Sequence, residues 1–155
     1  MNLTRFAIAL PEKRQFFTQN DDLFKDFGST RDVVPFFSRR IGVARDLEGN
    51  TIENKIIYGA RLSGKLNSNL RVGFLNIITD EDIENEIASN LNTVFTLRQK
   101  LFDRSNISFF FLDQRAVKDY TFINNEERKN SVTGIEYNLA SVSYTHLRAH
   151  ETLLD

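Results

Sequence analysis

Two sets of side chains in this sequence are of types that can do chemistry. The first is an acidic run at residues 79–90, TDEDIENEIASN. Paired carboxylates serve general acid–base catalysis, but no histidine lies near this run, so a solvated acidic surface is the better interpretation. Thr79 and Asp82 resemble the capping box of a short amphipathic helix, whereas the density of acids equally indicates an exposed loop.

The second set is the pair of histidines, His146 and His150, with Glu151 beside them. On a helix this spacing puts both imidazoles on one face, where they can bind zinc. The zinc-protease motif requires Glu directly after the first histidine, and Leu147 stands there instead. Residues 143–155 resemble the conceptual translation of a sequencing adapter, so we interpret them as a non-native tail, with a surface helix as the alternative. We therefore predict no catalytic residue, no metal site and no cofactor.

Composition narrows the class of protein. A chain of 155 residues is long enough for one domain with a core. Its net charge is -1, so no overall field steers it to nucleic acid, and we predict no such partner. The absence of cysteine excludes disulfides and thiolate metal sites.

No apolar run of about 18 residues and no signal peptide is visible, yet the first residues already resemble a strand. We expect a piece of a longer protein rather than a complete cytoplasmic one.

Residues 1–55 form an aromatic-rich segment with short strands, which we call the lead-in. Two blocks, LPEKRQFF at 10–17 and PFFSRRIG at 35–42, each set two phenylalanines beside basic residues. Residues 5–10 alternate as a strand does, and residues 12–34 carry turn chemistry that indicates irregular structure. So many aromatic side chains cannot lie free in water. We predict that they pack as hydrophobic plugs against something larger, with a ligand-stacking surface as the alternative.

Residues 56–142 alternate between apolar and polar side chains with a period of two, which is typical of β-strands. In the second strand, for example, Val72 and Phe74 fall on one face and Arg71 on the other. The predicted strands are 56–65, 70–78, 91–102, 107–112 and 132–141.

The connections between these strands are of two kinds. The turns at 66–69 and 103–106 are short, whereas the connections at 79–90 and 113–131 are long and charged. In an up-and-down meander the two kinds lie at opposite ends of the sheet. Strands of about 10 residues with this asymmetry are typical of outer-membrane β-barrels. They are equally typical of soluble, lipocalin-like barrels.

The side on which the apolar residues lie separates these alternatives. A small soluble barrel that binds a small ligand or sugar would line its interior with apolar side chains, namely Phe95, Leu97, Phe109 and Phe111. In a wide membrane barrel the apolar side chains point outward to the lipid and the polar side chains point inward. The polar residues that would then face the lumen are Arg61, Arg71, Arg98, Lys100 and Glu136. Alternation alone does not choose between them.

An ordered set of motifs resembles one family. The motifs are PEKRQFF at 11–17, PFFSRRIG at 35–42, GARLSGK at 59–65, VGFLN at 72–76 and KLFDRSNI at 100–107. They resemble a domain-of-unknown-function family of Gram-negative, Bacteroidetes-type bacteria, over about residues 2–142. Members of that family resemble secreted proteins with an N-terminal carbohydrate-binding-module-like sandwich and a C-terminal outer-membrane β-barrel.

The resemblance implies an all-β fold, an antiparallel up-and-down meander that forms an incomplete part of an outer-membrane-type β-barrel. Five strands are fewer than the roughly eight of the smallest membrane barrels, so the chain cannot close alone. For a full-length parent, the resemblance implies a place in the outer membrane, contact with lipid and a link to glycans through the missing sandwich. No catalytic residue carries over, so we predict that this chain is not an enzyme; a hydrolase fragment is the third alternative, since the resemblance implies a hydrolase association for some full-length members. One departure is that phenylalanine dominates and tryptophan is absent.

Overall fold

A computed structural model describes residues 13–25, 27, 36, 38–124, 126 and 128–139. The predicted strand at 5–10 and the tail at 143–155 with its histidines lie outside these residues. The strands are β1 (Val43–Arg45), β2 (Thr51–Glu53), β3 (Ile56–Lys65), β4 (Leu70–Thr79), β5 (Asn90–Phe102), β6 (Ser105–Ala116) and β7 (Lys129–Asn138). The helices are α1 (Gln15–Thr18), α2 (Asp22–Lys25) and a 3-10 turn at Ser38–Arg40. None of the described helices has the length and apolar character needed to cross a membrane.

Strands β3 to β7 form one antiparallel sheet in chain order, and β1 and β2 form a separate hairpin. The predicted all-β fold with an up-and-down antiparallel meander is therefore confirmed. The fourth predicted strand is longer than expected, since β6 covers Ser105–Ala116. The fifth begins earlier, since β7 starts at Lys129. In the described part of the chain the sheet is open, with β3 and β7 at its two edges.

The sheet has two different faces, because side chains directly opposite each other on paired strands project to the same side. Gly73 pairs with Thr96 and Leu75 with Val94, and these residues belong to what we call the covered face. Their strand neighbours belong to the other side, which we call the apolar face. Its members include Val72, Phe74, Phe95, Leu97, Phe109, Phe111 and Ile135.

The hydrophobic core lies between the lead-in and the covered face. Its buried members are Phe17, Leu23, Phe24, Ile41, Leu75, Ile77 and Val94. Helices α1 and α2 supply the first three, so the prediction that lead-in aromatics act as plugs is confirmed for Phe17 and Phe24. The prediction of irregular structure at 12–34 is wrong where α1 and α2 form. Both helices are a single turn, too short to be stable without this packing.

A bulge at the start of β3 changes which residues reach the core. Ile56 pairs with Thr79 and Tyr58 with Ile78, so the register shifts between Ile56 and Tyr58. Simple alternation predicts Ile56 and Tyr58 on the same side. The bulge instead turns Ile56 against the core, while Tyr58 stays half exposed.

The acidic connection after β4 is a loop, so its helical alternative is wrong. The Asp82 carboxylate accepts hydrogen bonds from the backbone and side-chain amides of Asn85, at 3.2 and 2.7 Å. Such local bonds compete with a helix. Asp82 also forms an isolated bridge with Ile87, and Glu86 adopts a left-handed φ of 55°.

The two long connections are tied together at one end of the sheet. The Tyr120 hydroxyl donates to Glu81 at 2.5 Å and accepts from the backbone amide of Ser89 at 3.1 Å. Lys118 adds an ion pair to Glu81 at 2.8 Å. The connection before β7 is thereby fastened to the connection before β5.

Replacing Gly73 with alanine will test how the lead-in packs on the sheet through Phe24. An added Cβ at this position would lie 2.5 Å from Thr96 Oγ1 and 2.8 Å from Phe24 Cζ, which is too close. We expect the free energy of unfolding, measured by urea denaturation, to fall by about 1–3 kcal/mol.

Gly64→Ala is the matched control, because a Cβ there has no neighbour within 4 Å. It should leave stability unchanged or raise it by about 0.4–1 kcal/mol. Equal losses in the two variants would show that Phe24 does not require the room above Gly73.

Candidate functional site

The most charged part of the covered face is a row of side chains that runs across all five strands. Lys65 pairs with Arg71, Arg71 with Arg98, Arg98 with Ser108, and Ser108 with Glu136. The first three, Lys65, Arg71 and Arg98, we call the cationic row. Like charges directly opposite each other on neighbouring strands repel, so this row needs an anion nearby.

Helix α2 supplies that anion through Asp22. Arg71 Nη1 lies 2.5 Å from Asp22 Oδ2 and Arg71 Nη2 lies 3.1 Å from Oδ1, which is a two-pronged contact. Arg98 Nη1 lies 3.7 Å from the same Oδ2, and Arg98 Nη2 donates to the Asp22 carbonyl at 3.2 Å. The fork of an arginine matches a carboxylate in this way, and it gives direction as well as energy.

The hydrogen bond from Arg71 is the main reason why the pKa of Asp22 lies below its ordinary value of 3.8. Burial acts in the opposite direction, and the positive charges of Arg71 and Arg98 add to the lowering. The Asp22 side chain is 39% exposed, so solvent screens part of this interaction. Asp22 is therefore ionised throughout the neutral range.

Other arginines hold the lead-in through its rings and carbonyls. The Arg61 guanidinium lies 4.6 Å from the centre of the Phe24 ring and donates to the carbonyls of Phe16 and Gln19. Arg98 lies 5.8 Å from the Phe27 ring. Each guanidinium thus combines an aromatic face with a charge contact or a carbonyl, which suits its flat and weakly hydrated shape.

The apolar face is the opposite surface of the same sheet; its large side chains on the edge strands β3 and β7 are exposed, and those on the central strands are half-buried. The most exposed are Leu62 at 68%, Ile135 at 71% and Tyr137 at 54%. Phe95 and Phe109 contact each other edge to face, with ring centres 6.4 Å apart. The strand residues of the buried core all belong to the covered face. The apolar face is therefore largely hydrophobic, with one polar row across it, and a hydrophobic surface of this kind marks a contact site.

Polar side chains on the apolar face bond to each other. Asn76 Nδ2 donates to Thr93 Oγ1 at 2.9 Å. Asp113 is buried and accepts from Ser131 Oγ at 2.6 Å and from Arg115 Nε at 2.8 Å. These hydrogen bonds hold the pKa of Asp113 below its ordinary value, with the Ser131 bond the largest cause.

Two carboxylates of the acidic loop, Glu81 and Asp82, accept hydrogen bonds from neighbouring side chains. Hydrogen bonds from Lys118 and Tyr120 hold the pKa of Glu81 below its ordinary value, and those from Asn85 do the same for Asp82. A general acid needs the opposite shift. No group of three or more metal-ligating side chains occurs among the residues that the structure describes.

The predicted lumen residues Arg61, Arg71, Arg98 and Glu136 do share one face, and the predicted interior residues Phe95, Leu97, Phe109 and Phe111 share the other. Lys100 lies at the end of β5, where it pairs with Asp103 at 3.4 Å. Sequence reasoning missed Asp22. The excess of arginine on one face signals that a carboxylate is needed, but it does not identify which one.

The fold and its surfaces define a class, an antiparallel β-meander whose charged face is filled by its own lead-in and whose apolar face is exposed. The chain belongs to the family described as Domain of unknown function (DUF5916), whose family model matches residues 1–146. Comparisons with curated proteins and with solved structures gave no match.

Substituting Arg71 with glutamine will raise the pKa of Asp22 towards 3.8, because its principal hydrogen-bond donor is lost. The carboxyl carbon can be followed by NMR during an acid titration. With a pKa lowered by folding, Asp22 stabilises the fold above about pH 4 and loses this contribution as the pH falls through the lowered value. Stability of the variant should therefore depend less on pH in this acid range.

Arg115→Gln is the control, because Arg115 contacts Asp113 on the apolar face and not Asp22. It should leave the Asp22 titration unchanged. An Asp22 titration that is the same in Arg71→Gln and in the unsubstituted chain would contradict the assigned contact.

Proposed function

We propose that this chain forms part of the wall of an outer-membrane β-barrel in a longer, Bacteroidetes-type protein, with a structural rather than a catalytic role. The apolar face would contact lipid, and the covered face would look into the lumen. One observation carries the proposal: the lead-in covers the face that bears Arg61, Arg71 and Arg98 and leaves the large side chains at the edges of the apolar face, such as Leu62 and Ile135, exposed.

In a protein surrounded by water the opposite arrangement is expected, because burial of apolar side chains is the main driving force of folding. Fully burying one large apolar side chain is worth about 1.5–3 kcal/mol. In water, most of this burial free energy is lost at Leu62, Ile135 and Tyr137, because each side chain is more than half exposed. A hydrocarbon environment removes this cost, which supports a membrane setting.

The polar groups of the apolar face support the same proposal. An unsatisfied polar group in hydrocarbon costs several kcal/mol, so lipid-facing polar side chains must find partners within the protein. Asn76 has Thr93, and Asp113 has Ser131 and Arg115. Strands β3, β4 and β7 each have 10 residues, which suits a tilted strand that crosses a bilayer.

A link to glycans rests on the family resemblance alone, through a sandwich domain that would precede this chain. It predicts that the longer protein is retained on polysaccharide resins and that this chain is not. The alternative function is that of a soluble barrel or sandwich that binds a small ligand or sugar. There, a second layer of protein would cover the apolar face.

Single tryptophan reporters can separate these functions, because the chain has no tryptophan of its own. Ile135 and Val132 lie on the same strand, point to opposite sides and are both exposed. In micelles of brominated dodecyl maltoside, we expect the fluorescence of Ile135→Trp to be strongly quenched and that of Val132→Trp to be much less so. Bromine quenches at short range, so the difference reports which face the detergent covers.

Equal quenching at the two positions would contradict the proposal. A chain that is monomeric without detergent, with blue-shifted and unquenched emission from Ile135→Trp, would favour the soluble alternative. For the longer protein, recovery in the soluble fraction of Gram-negative cells rather than with the outer membrane would also contradict the membrane setting.

A further inference from the structure

We propose that Arg115 and Lys129, at one end of the apolar face, form a binding site for the phosphate of a membrane lipid headgroup. We call these two residues the basic pair. The inference rests on the proposed function, because it requires the apolar face to contact lipid. It adds the headgroup chemistry that this face would select.

The basic pair lies beyond the hydrophobic part of the apolar face. Along β6, the side chains of Phe109, Phe111, Asp113 and Arg115 occupy alternate positions and therefore project to one side. With a rise of about 3.4 Å per residue, Arg115 is about 14 Å from Phe111 along the strand. Such a distance leads from hydrocarbon to the headgroups, where the long side chains of arginine and lysine place their charges.

The end of the sheet that carries the basic pair is the end with the long connections. These connections join β4 to β5 and β6 to β7, whereas the short turns lie at the opposite end. In outer-membrane barrels the long loops face the outside of the cell and the short turns face the periplasm. The basic pair would therefore meet lipids of the outer leaflet.

The two cations of the pair lie side by side. Arg115 on β6 is directly opposite Lys129 on β7, so both side chains project to the same side, with their Cβ atoms about 5 Å apart. Lys129 is exposed, and the side chain of Arg115 is 55% exposed. Like charges in this position repel each other, and an anion bound between them removes the repulsion. One phosphate group has enough oxygens to accept hydrogen bonds from both residues.

A buried carboxylate fixes the arginine of the pair. The Asp113 side chain is 1% exposed, and its Oδ2 lies 2.8 Å from Arg115 Nε and 2.7 Å from Arg115 Nη2. Its Oδ1 accepts a hydrogen bond from Ser131 Oγ at 2.6 Å. These contacts use one edge of the guanidinium, and Arg115 Nη1 has no hydrogen-bond partner among the residues that the structure describes. The arginine is thus oriented in advance and can still donate to a ligand.

The lysine of the pair is the charge that a ligand would satisfy. Asp113 brings one negative charge, and its ion pair is with Arg115. Within the described part of the chain Lys129 forms no ion pair, although its charge contributes to the lowered pKa of Asp113. A phosphate bound to Arg115 Nη1 and to the Lys129 ammonium would complete the site.

The test uses Thr133→Trp as a reporter, because Thr133 is exposed and lies on β7 four residues after Lys129, on the same side of the sheet. The full chain in dodecyl maltoside is titrated with phosphatidate that carries bromine on its acyl chains, and separately with phosphatidylcholine of the same acyl chains. We expect half-maximal quenching at a mole fraction of phosphatidate that is about ten-fold lower than that of phosphatidylcholine.

Lys129→Gln, added to the reporter, removes one cation and leaves the contact between Arg115 and Asp113 intact. It should reduce the preference for phosphatidate about five-fold. Arg104→Gln is the matched control, because it removes the same charge from an exposed position in the turn before β6, at the opposite end of the sheet. It should leave the preference unchanged. Equal losses in the two variants would mean attraction by overall charge, and would overturn the proposal.

Inorganic phosphate, added at constant ionic strength, separates a lipid site from a site for the free ion. Quenching by phosphatidate should persist, and its reversal would overturn the assignment to a lipid. The result is also independent of the membrane setting. Equal quenching by the two lipids, with strong quenching of Ile135→Trp by brominated detergent, would overturn this inference alone. Unquenched Ile135→Trp would instead contradict the proposed function.

Discussion

The ring of Phe24 lies over Gly73, and the packing of the lead-in on the sheet depends on this contact. Because Gly73 has no side chain, the ring reaches the sheet, and Leu23 and Phe17 join it in the core. The same contact places the start of α2 above the cationic row, where Asp22 accepts a hydrogen bond from Arg71. Packing and electrostatics are therefore coupled, since one short helix carries both Asp22 and Phe24.

The coupling explains why the two faces of one sheet have such different surroundings. β4 and β5 each place one arginine, Arg71 or Arg98, on the same face as the apolar core residues Leu75 and Val94, so that face is mixed. The lead-in has both rings and carboxylates, so it suits the mixed face with Arg61, Arg71 and Arg98. On the opposite face, large side chains such as Leu62 and Ile135 stay exposed.

The strands could be predicted because alternation over ten residues is a strong local signal, and β3 starts and ends where expected. The hairpin of β1 and β2 could not, because its strands have three residues each. The single turns of α1 and α2 depend on packing against distant strands. Asp22 lies 49 residues from Arg71, and no local pattern joins positions so far apart.

The bond between Asn76 and Thr93 has an evolutionary consequence. The two side chains are directly opposite on β4 and β5, at one end of a polar row that continues through Asp113 on β6. Replacing only one of them leaves the polar atoms of the other without a hydrogen bond, whereas replacing both with apolar residues leaves no polar atom unpaired. The two positions are therefore coupled in evolution, and members of the family should differ at both of them together rather than at one alone.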